Sequence, residues 1–165
     1  MLRLSVSLLT LCLSLAVFSV RAGEDADPTV PVGAVAPEIK GKVWVTEDGK
    51  DPEYKGKVYL VDFWFTTCVS CLEAMPTLNK LAKRFEGKQF LILGLTPDPL
   101  STVQKTKDKY NLKYPLLSDA KPSEKLWSIE FFPSLFLVGK DGKVVWKGDA
   151  TDKKLPEIIE AELAK

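Results

Sequence analysis

Between Val58 and Phe85 the chain reads VYLVDFWFTTCVSCLEAMPTLNKLAKRF. An apolar run of strand composition, Val58 to Phe65, crosses Thr66 and Thr67 into a segment whose apolar residues recur at helical spacing. A run this continuously apolar does not suit a half-exposed strand, and it predicts a central one. Cys68 and Cys71 stand at the join. A helix N-terminus offers unpaired N–H groups and the positive end of the helix dipole, and both favour a thiolate, the reactive form of cysteine. A strand that delivers a CxxC to a helix start is therefore a dithiol redox site. Cys68, at the helix mouth, is expected to be the exposed nucleophile, and Cys71, one turn in, the buried resolving thiol.

Composition removes most alternatives. The chain has no histidine, which excludes His-ligated metal sites and Cys–His or Ser–His catalysis. Zinc needs four ligands, and a second CxxC is missing as well, so redox use of the pair outweighs metal binding. No metal and no cofactor is expected. Residues 1–22 read as a signal peptide: Arg3, an apolar run from Leu4 to Val20, then Val20-Arg21-Ala22 before Gly23. An uncleaved membrane anchor through residues 4–20 is the alternative. Either way an exported, for instance periplasmic, location is expected. Loss of this segment removes Cys12, Arg3 and Arg21, leaves Cys68 and Cys71 as the cysteines, and turns the formal net charge of +1 into −1. A near-neutral chain gives no reason to expect nucleic acid or an anionic surface as a partner.

Residues 23–37 are acidic and then rich in Pro and Gly, a tether or extended lead-in, and 38–165 form one domain. Lys42 to Thr46 with the turn Glu47-Asp48-Gly49-Lys50 fits a short edge hairpin. Pro76 falls inside the helical pattern that follows Cys71, where it should kink the helix. Phe90 to Leu95 is a second buried strand, stopped by Pro97 and Pro99, and Leu100 to Tyr110 a helix. Short elements are expected at Tyr114 to Leu117 (strand) and Pro122 to Ile129 (helix). Ser134 to Val138 and Val144 to Lys147 flank the turn Lys140-Asp141-Gly142-Lys143 as a hairpin, and Lys153 to Ala164 is an amphipathic helix. A βαβ unit, then helices, then a hairpin and a last helix describe an α/β fold with a mixed sheet flanked by helices.

Asp62 interrupts the central strand six residues before Cys68. It is either an acid turned to solvent or a buried carboxyl whose pKa rises towards neutrality, where it would suit proton exchange with the inner thiol. The sequence leaves the two readings level. Pro133, after Phe131 and Phe132, stands just before a strand, and trans is the default for its peptide bond.

VDFWFTTCVSC, Pro76 and the later FFPSLFLVGKDGKVVWKG together resemble the thioredoxin superfamily, in particular exported thiol:disulfide oxidoreductases of the TlpA/ResA type. The lead-in Ala36-Pro37-Glu38-Ile39 is similar to an APxF motif of that group, and the resemblance runs from about Gly33 to the C-terminus. It implies a thioredoxin fold with a helical and strand insert, Asp98 to Glu130, before a cis-Pro133. It also implies that Asp62 is the buried acid, that Pro76 matches the family's helix kink, and that the backbone of Phe132 pairs with an extended substrate segment. Trp64, Thr67, Val69 and Ser70 complete the expected substrate-facing set. Thr67 stands where the family has Trp, so the apolar shelf beside the sulfur is smaller. Val69-Ser70 lacks the usual Pro or Gly, and Val69 keeps an N–H that would add a donor to the Cys68 sulfur. The family's Glu three residues after the second Cys is Ala74 here, with Glu73 one place earlier, and no relay role is transferred to it.

The expected activity is thiol–disulfide exchange: Cys68 attacks a substrate disulfide, and Cys71, its proton handled by Asp62, resolves the mixed disulfide. The expected partners are protein thiols and disulfides and, by resemblance, a membrane electron donor, with apocytochrome c as one client and a monomeric state. The rival is a non-enzymatic binding module with a structural Cys68–Cys71 disulfide. A thiol peroxidase is weaker, since no Thr or Arg stands at peroxidase spacing to Cys68.

Overall fold

The computed structural model describes residues 29–165; the leader read at 1–22 and the first residues of the lead-in lie outside them. The elements are β1 (Trp44–Val45), β2 (Val58–Phe63), α1 (Val69–Arg84), β3 (Phe90–Leu95), α2 (Leu100–Tyr110), β4 (Leu116–Leu117), α3 (Lys121–Leu126), β5 (Ser134–Val138), β6 (Val144–Gly148) and α4 (Leu155–Leu163). One six-stranded sheet has the order β1-β4-β3-β2-β5-β6. β2 runs parallel to β3, from Val58↔Phe90 to Phe63↔Leu95, and antiparallel to β5, from Tyr59↔Val138 to Phe63↔Ser134. Val58–Phe63 of the long apolar run form a central strand, and all six of these residues are buried.

Side chains alternate across a strand, so β2 feeds two cores. Tyr59, Val61 and Phe63 meet Trp127, Phe136 and Val138 on one face. Val58, Leu60 and Trp64 meet Cys71, Met75, Leu78, Leu155 and Ile159 on the other, beneath α1 and α4. Arg84 ties the far end of α1 to Glu160 of α4 through an ion pair of 2.9 Å. Pro76 lies inside α1 at an exposed position, so its ring burdens the solvent side of the helix.

The short edge hairpin does not form. β1 pairs instead with β4, antiparallel, through Trp44↔Leu117 and Val45↔Leu116. The turn at 47–50 closes on itself, with the Thr46 hydroxyl donating to the Lys50 carbonyl at 2.9 Å. The stretch after this turn is polar and carries Pro52, which cannot donate to a ladder. Residues 33–36 of the lead-in lie along the β5–β6 turn: Gly33 N–H donates to Val144 O (2.7 Å) and Ala36 N–H to Gly142 O (2.9 Å). Among the described residues no helix is long and apolar enough to cross a membrane.

Phe136 is 2% exposed and its ring centroid lies 5.1 Å from that of Trp127 and 6.1 Å from that of Phe63. Phe136→Ala empties the middle of this aromatic cluster and should cost about 3–5 kcal/mol of unfolding free energy. Urea denaturation of the oxidised protein measures it, and a loss below about 1 kcal/mol would mean that this core collapses onto the gap.

Candidate active site

Cys68 is the N-cap residue of α1, in extended conformation, and Val69, Ser70 and Cys71 are the first three helical residues. The N-cap side chain ordinarily accepts a hydrogen bond from the second or third of these. Here the acceptor is sulfur: the Cys71 N–H donates to Cys68 Sγ at 3.2 Å. The expected donor, Val69, is not the one that meets the sulfur, because the cap geometry brings in the third N–H rather than the first. The Ser70 hydroxyl also lies 3.5 Å from Cys68 Sγ. Cys68 and Cys71 form a disulfide with their Cα atoms 5.3 Å apart. Cys68 is 7% exposed and Cys71 3%, so in this oxidised form the cysteine expected to be exposed is itself a buried residue, only slightly more open than Cys71.

Asp62 is 3% exposed, on the β2 face that carries Leu60 and Trp64 and that α1 covers. No hydrogen bond or ion pair from the described residues reaches its carboxyl. Burial alone pushes its pKa up from 3.8 to about 7. Unlike an ion-paired acid, this one is poised to exchange a proton at neutral pH.

The Phe132–Pro133 peptide bond is cis. The β2–β5 register, which ends at Phe63↔Ser134, sets Pro133 level with Trp64 at the end of β2 nearest the cysteines. Phe132 reaches across to Phe65 in an edge-to-face contact with centroids 5.0 Å apart. Neither the N–H nor the C=O of Phe132 is bonded among the described residues. Thr67, Val69 and Ser70 are exposed beside the disulfide, and Phe131 stands 73% exposed next to Phe132. Trp64 does not join them. It is fully buried, because it shares Asp62's face of β2 and turns its indole under the sheet rather than towards a client.

Asp98, at the end of β3, was not among the expected site residues. Its Oδ2 accepts from the Thr66 N–H at 2.7 Å and from the Thr96 hydroxyl at 3.1 Å. The loop that leads into Cys68 is thus fastened to the neighbouring strand end. The available signal was an acid between Pro97 and Pro99 at the carboxyl end of a parallel strand, where such sheets build their sites. Among the described residues, no group of three or more Cys, Asp or Glu side chains is gathered as a metal ion would need.

Residues 32–147 match the model of the AhpC/TSA family. The chain is 33% identical over 130 residues to a thiol-disulfide oxidoreductase ResA of Bacillus thuringiensis, covering 76% of this chain and 72% of that one. The fold is similar to the thioredoxin domain of a thiol-disulfide oxidoreductase from Bacteroides vulgatus, with a TM-score of 0.66, 28% identity, and coverage of 79% of this chain and 99% of that one. It is also similar to a thiol-disulfide isomerase from Corynebacterium glutamicum (TM-score 0.69, 20% identity, 79% and 97% covered), a likeness of fold alone.

Between about pH 4 and 7 the folded protein holds a proton on Asp62 that the unfolded chain releases, so this group's contribution to stability falls as pH rises and levels off above 7. At 1.36 kcal/mol per unit the full effect is on the order of 4 kcal/mol. Asp62→Asn should therefore gain on the wild type across that window and be the more stable protein at pH 8, as read by denaturant titrations of the two oxidised proteins. A stability difference that stays constant from pH 4 to 8 would show that Asp62 is ionised throughout.

Proposed function

We propose a redox cycle for this chain, which belongs to the AhpC/TSA family within the thioredoxin superfamily. It is a thioredoxin-like thiol:disulfide oxidoreductase, and the proposal concerns how it works, on what, and where. The observation that carries the cycle is the Cys68 sulfur in the N-cap position, with the Cys71 N–H donated to it. A donor and a helix N-terminus aimed at one sulfur favour the thiolate there over the one at the next turn.

In the reduced enzyme the Cys68 thiolate attacks one sulfur of a client disulfide, the other leaves as a thiolate, and a mixed disulfide forms. Cys71 gives its proton to the Asp62 carboxylate and attacks Cys68 Sγ. The Cys68–client bond breaks, and the second client sulfur leaves. The client has gained two electrons and becomes a dithiol, and the enzyme closes its own disulfide. Restoring the dithiol takes two electrons from a donor. A membrane-held electron donor suits an exported enzyme, and the apolar run Leu4 to Val20 supports export. Periplasmic protein disulfides, for instance in an apocytochrome c, are the client class.

An extended client strand can pair with the unbonded Phe132 backbone, a short β-addition, while Phe131 and Val69, 73% and 68% exposed, offer apolar contact on either side. With Thr67 in place of a larger apolar residue, the shelf beside the sulfur is low, which favours clients able to bring bulk of their own. A peroxide-reducing site is not favoured: Arg84, the arginine among the described residues, closes the far end of α1 against Glu160.

The wild type should reduce insulin disulfides with multiple turnovers when supplied with a dithiol. Cys71→Ser should stop after one attack and accumulate a client mixed disulfide on Cys68, and Cys68→Ser should give none. No turnover by a wild type whose own disulfide is demonstrably reduced, and no adduct on Cys71→Ser, would replace the enzyme with a binding module on a closed disulfide.

A further inference from the structure

Asp62 has a neighbour that the redox cycle does not use. In the parallel ladder between β2 and β3, Asp62 stands opposite Gly94. A Cβ on Gly94 would lie 2.6 Å from Leu116 Cδ2, 3.1 Å from Trp64 Nε1 and 3.3 Å from Tyr114 Cε2. The indole of Trp64 and the ring of Tyr114 therefore close over the place where a side chain is missing, directly beside the buried acid. A Cβ there would displace Leu116 and press on both rings.

Both rings bring a polar atom with them. Trp64 Nε1 and Tyr114 Oη are buried, and neither has a hydrogen-bond partner. Tyr114 is 2% exposed. Buried hydroxyls are nearly always bonded, because leaving one unmade costs about 1–3 kcal/mol. A hydroxyl left unpaired at that cost, within reach of an acid's field, calls for an explanation. Burial, and then the Asp62 charge, hold the phenol well above its ordinary pKa, so it is a neutral donor at every working pH. Its backbone is anchored: Lys107 Nζ donates to Tyr114 O at 2.9 Å and to Leu112 O at 2.8 Å, and Gly94 N–H donates to Pro115 O at 2.9 Å. The segment before β4 is thus fastened to both α2 and β3.

We propose that Tyr114 is a positioning residue for Asp62: its O–H, unbonded in this structure and brought to the acid's side of the sheet by the insert and by the absent side chain at Gly94, turns to donate to the Asp62 carboxylate when that group is ionised and is released when it takes up the Cys71 proton. The phenol keeps its own proton throughout. One proton moves, from Cys71 sulfur to Asp62 oxygen, and the donor steadies the charged form before the transfer. Trp64 Nε1 is the second donor on the same side. Of the groups in the core on Asp62's face of the sheet, Tyr114 and, once the disulfide is reduced, Cys71 and Cys68 are the ones that titrate; in the oxidised protein none of them is charged, which is why the test uses that form. This inference rests on Asp62 being the proton acceptor of Cys71.

The test reads Asp62 itself rather than turnover. In the oxidised full-length protein, the infrared band of the protonated carboxyl, assigned by its loss in Asp62→Asn, is followed against pH. A donor to the carboxylate lowers its pKa, so Tyr114→Phe should raise the Asp62 midpoint by about one pH unit. Tyr59→Phe, which changes a buried tyrosine on the opposite face of β2, should leave it in place. A Tyr114→Phe midpoint equal to the wild-type one would overturn the proposal. If Tyr114 served packing alone, removing its unbonded hydroxyl would leave that midpoint unmoved. Single-turnover release of a trapped client from Asp62→Asn separates the two layers. Release at the wild-type rate would remove Asp62 from the cycle, while a shifted midpoint would still establish the Tyr114–Asp62 pairing.

Discussion

The hydrogen bond from the Cys71 N–H to Cys68 Sγ, at 3.2 Å, is the contact on which the other features converge. It exists because sulfur occupies the N-cap position, where a serine or threonine oxygen would ordinarily satisfy the third helical N–H. The loop that presents it is held by its own turn and by the neighbouring strand β3 and its end. β2 ends at Phe63, Trp64 N–H is still tied to Leu95 O at 3.0 Å, and Thr66 N–H is held by Asp98. The chain then turns once, with Cys68 N–H donating to Phe65 O at 3.1 Å, and begins to coil. A sulfur so placed meets the positive end of α1 with a donor already aimed at it, so charge can develop there without the loop reorganising.

The second requirement is set by the same strand. A strand buried on both faces has no way of showing a polar residue to water, and β2 carries Asp62 in its interior. The cost of that burial appears as a carboxyl that holds its proton up to about pH 7. Thiolate stabilisation at the helix mouth and proton acceptance beneath the helix are thus divided between two groups, each placed by a different physical effect. One is electrostatic and depends on the helix end; the other is desolvation and depends on the sheet. The insert adds a third component, because it brings β4 to the edge of β3 and with it Tyr114 over Gly94. Loop, sheet and insert each act on one member of the site.

Much of this was legible in the residues. The central position of β2 followed from its unbroken apolar run, and β3, α2 and β5 carry the boundaries that Pro97, Pro99 and the Lys140–Lys143 turn set for them. Asp62 is ambiguous in the sequence because alternation along a single strand does not say whether both faces are covered; only α1 and α4, packed on its face of β2, decide it. The edge hairpin was misread because a strand followed by a turn normally returns, whereas Pro52 and a polar stretch prevent it and β4 offers the free edge. Trp64 belongs to the substrate-facing set expected with the family resemblance, yet its side chain points to the covered face of β2 and is fully buried. Asp98 and Tyr114 act across strands, on partners some thirty or more residues earlier. Nothing local marks Tyr114, whereas Asp98 is marked only by its place between two prolines at a strand end.

The sulfur itself offers the most direct measurement. In the reduced protein, the rate of iodoacetamide alkylation of Cys68 against pH, with Cys71→Ser removing the competing thiol, gives the pKa of the outer cysteine. A midpoint clearly below the ordinary cysteine value of about 8.5 is the predicted result. A midpoint at or above that value, with alkylation no faster than that of a short unstructured peptide, would mean that the N-cap position confers nothing on Cys68.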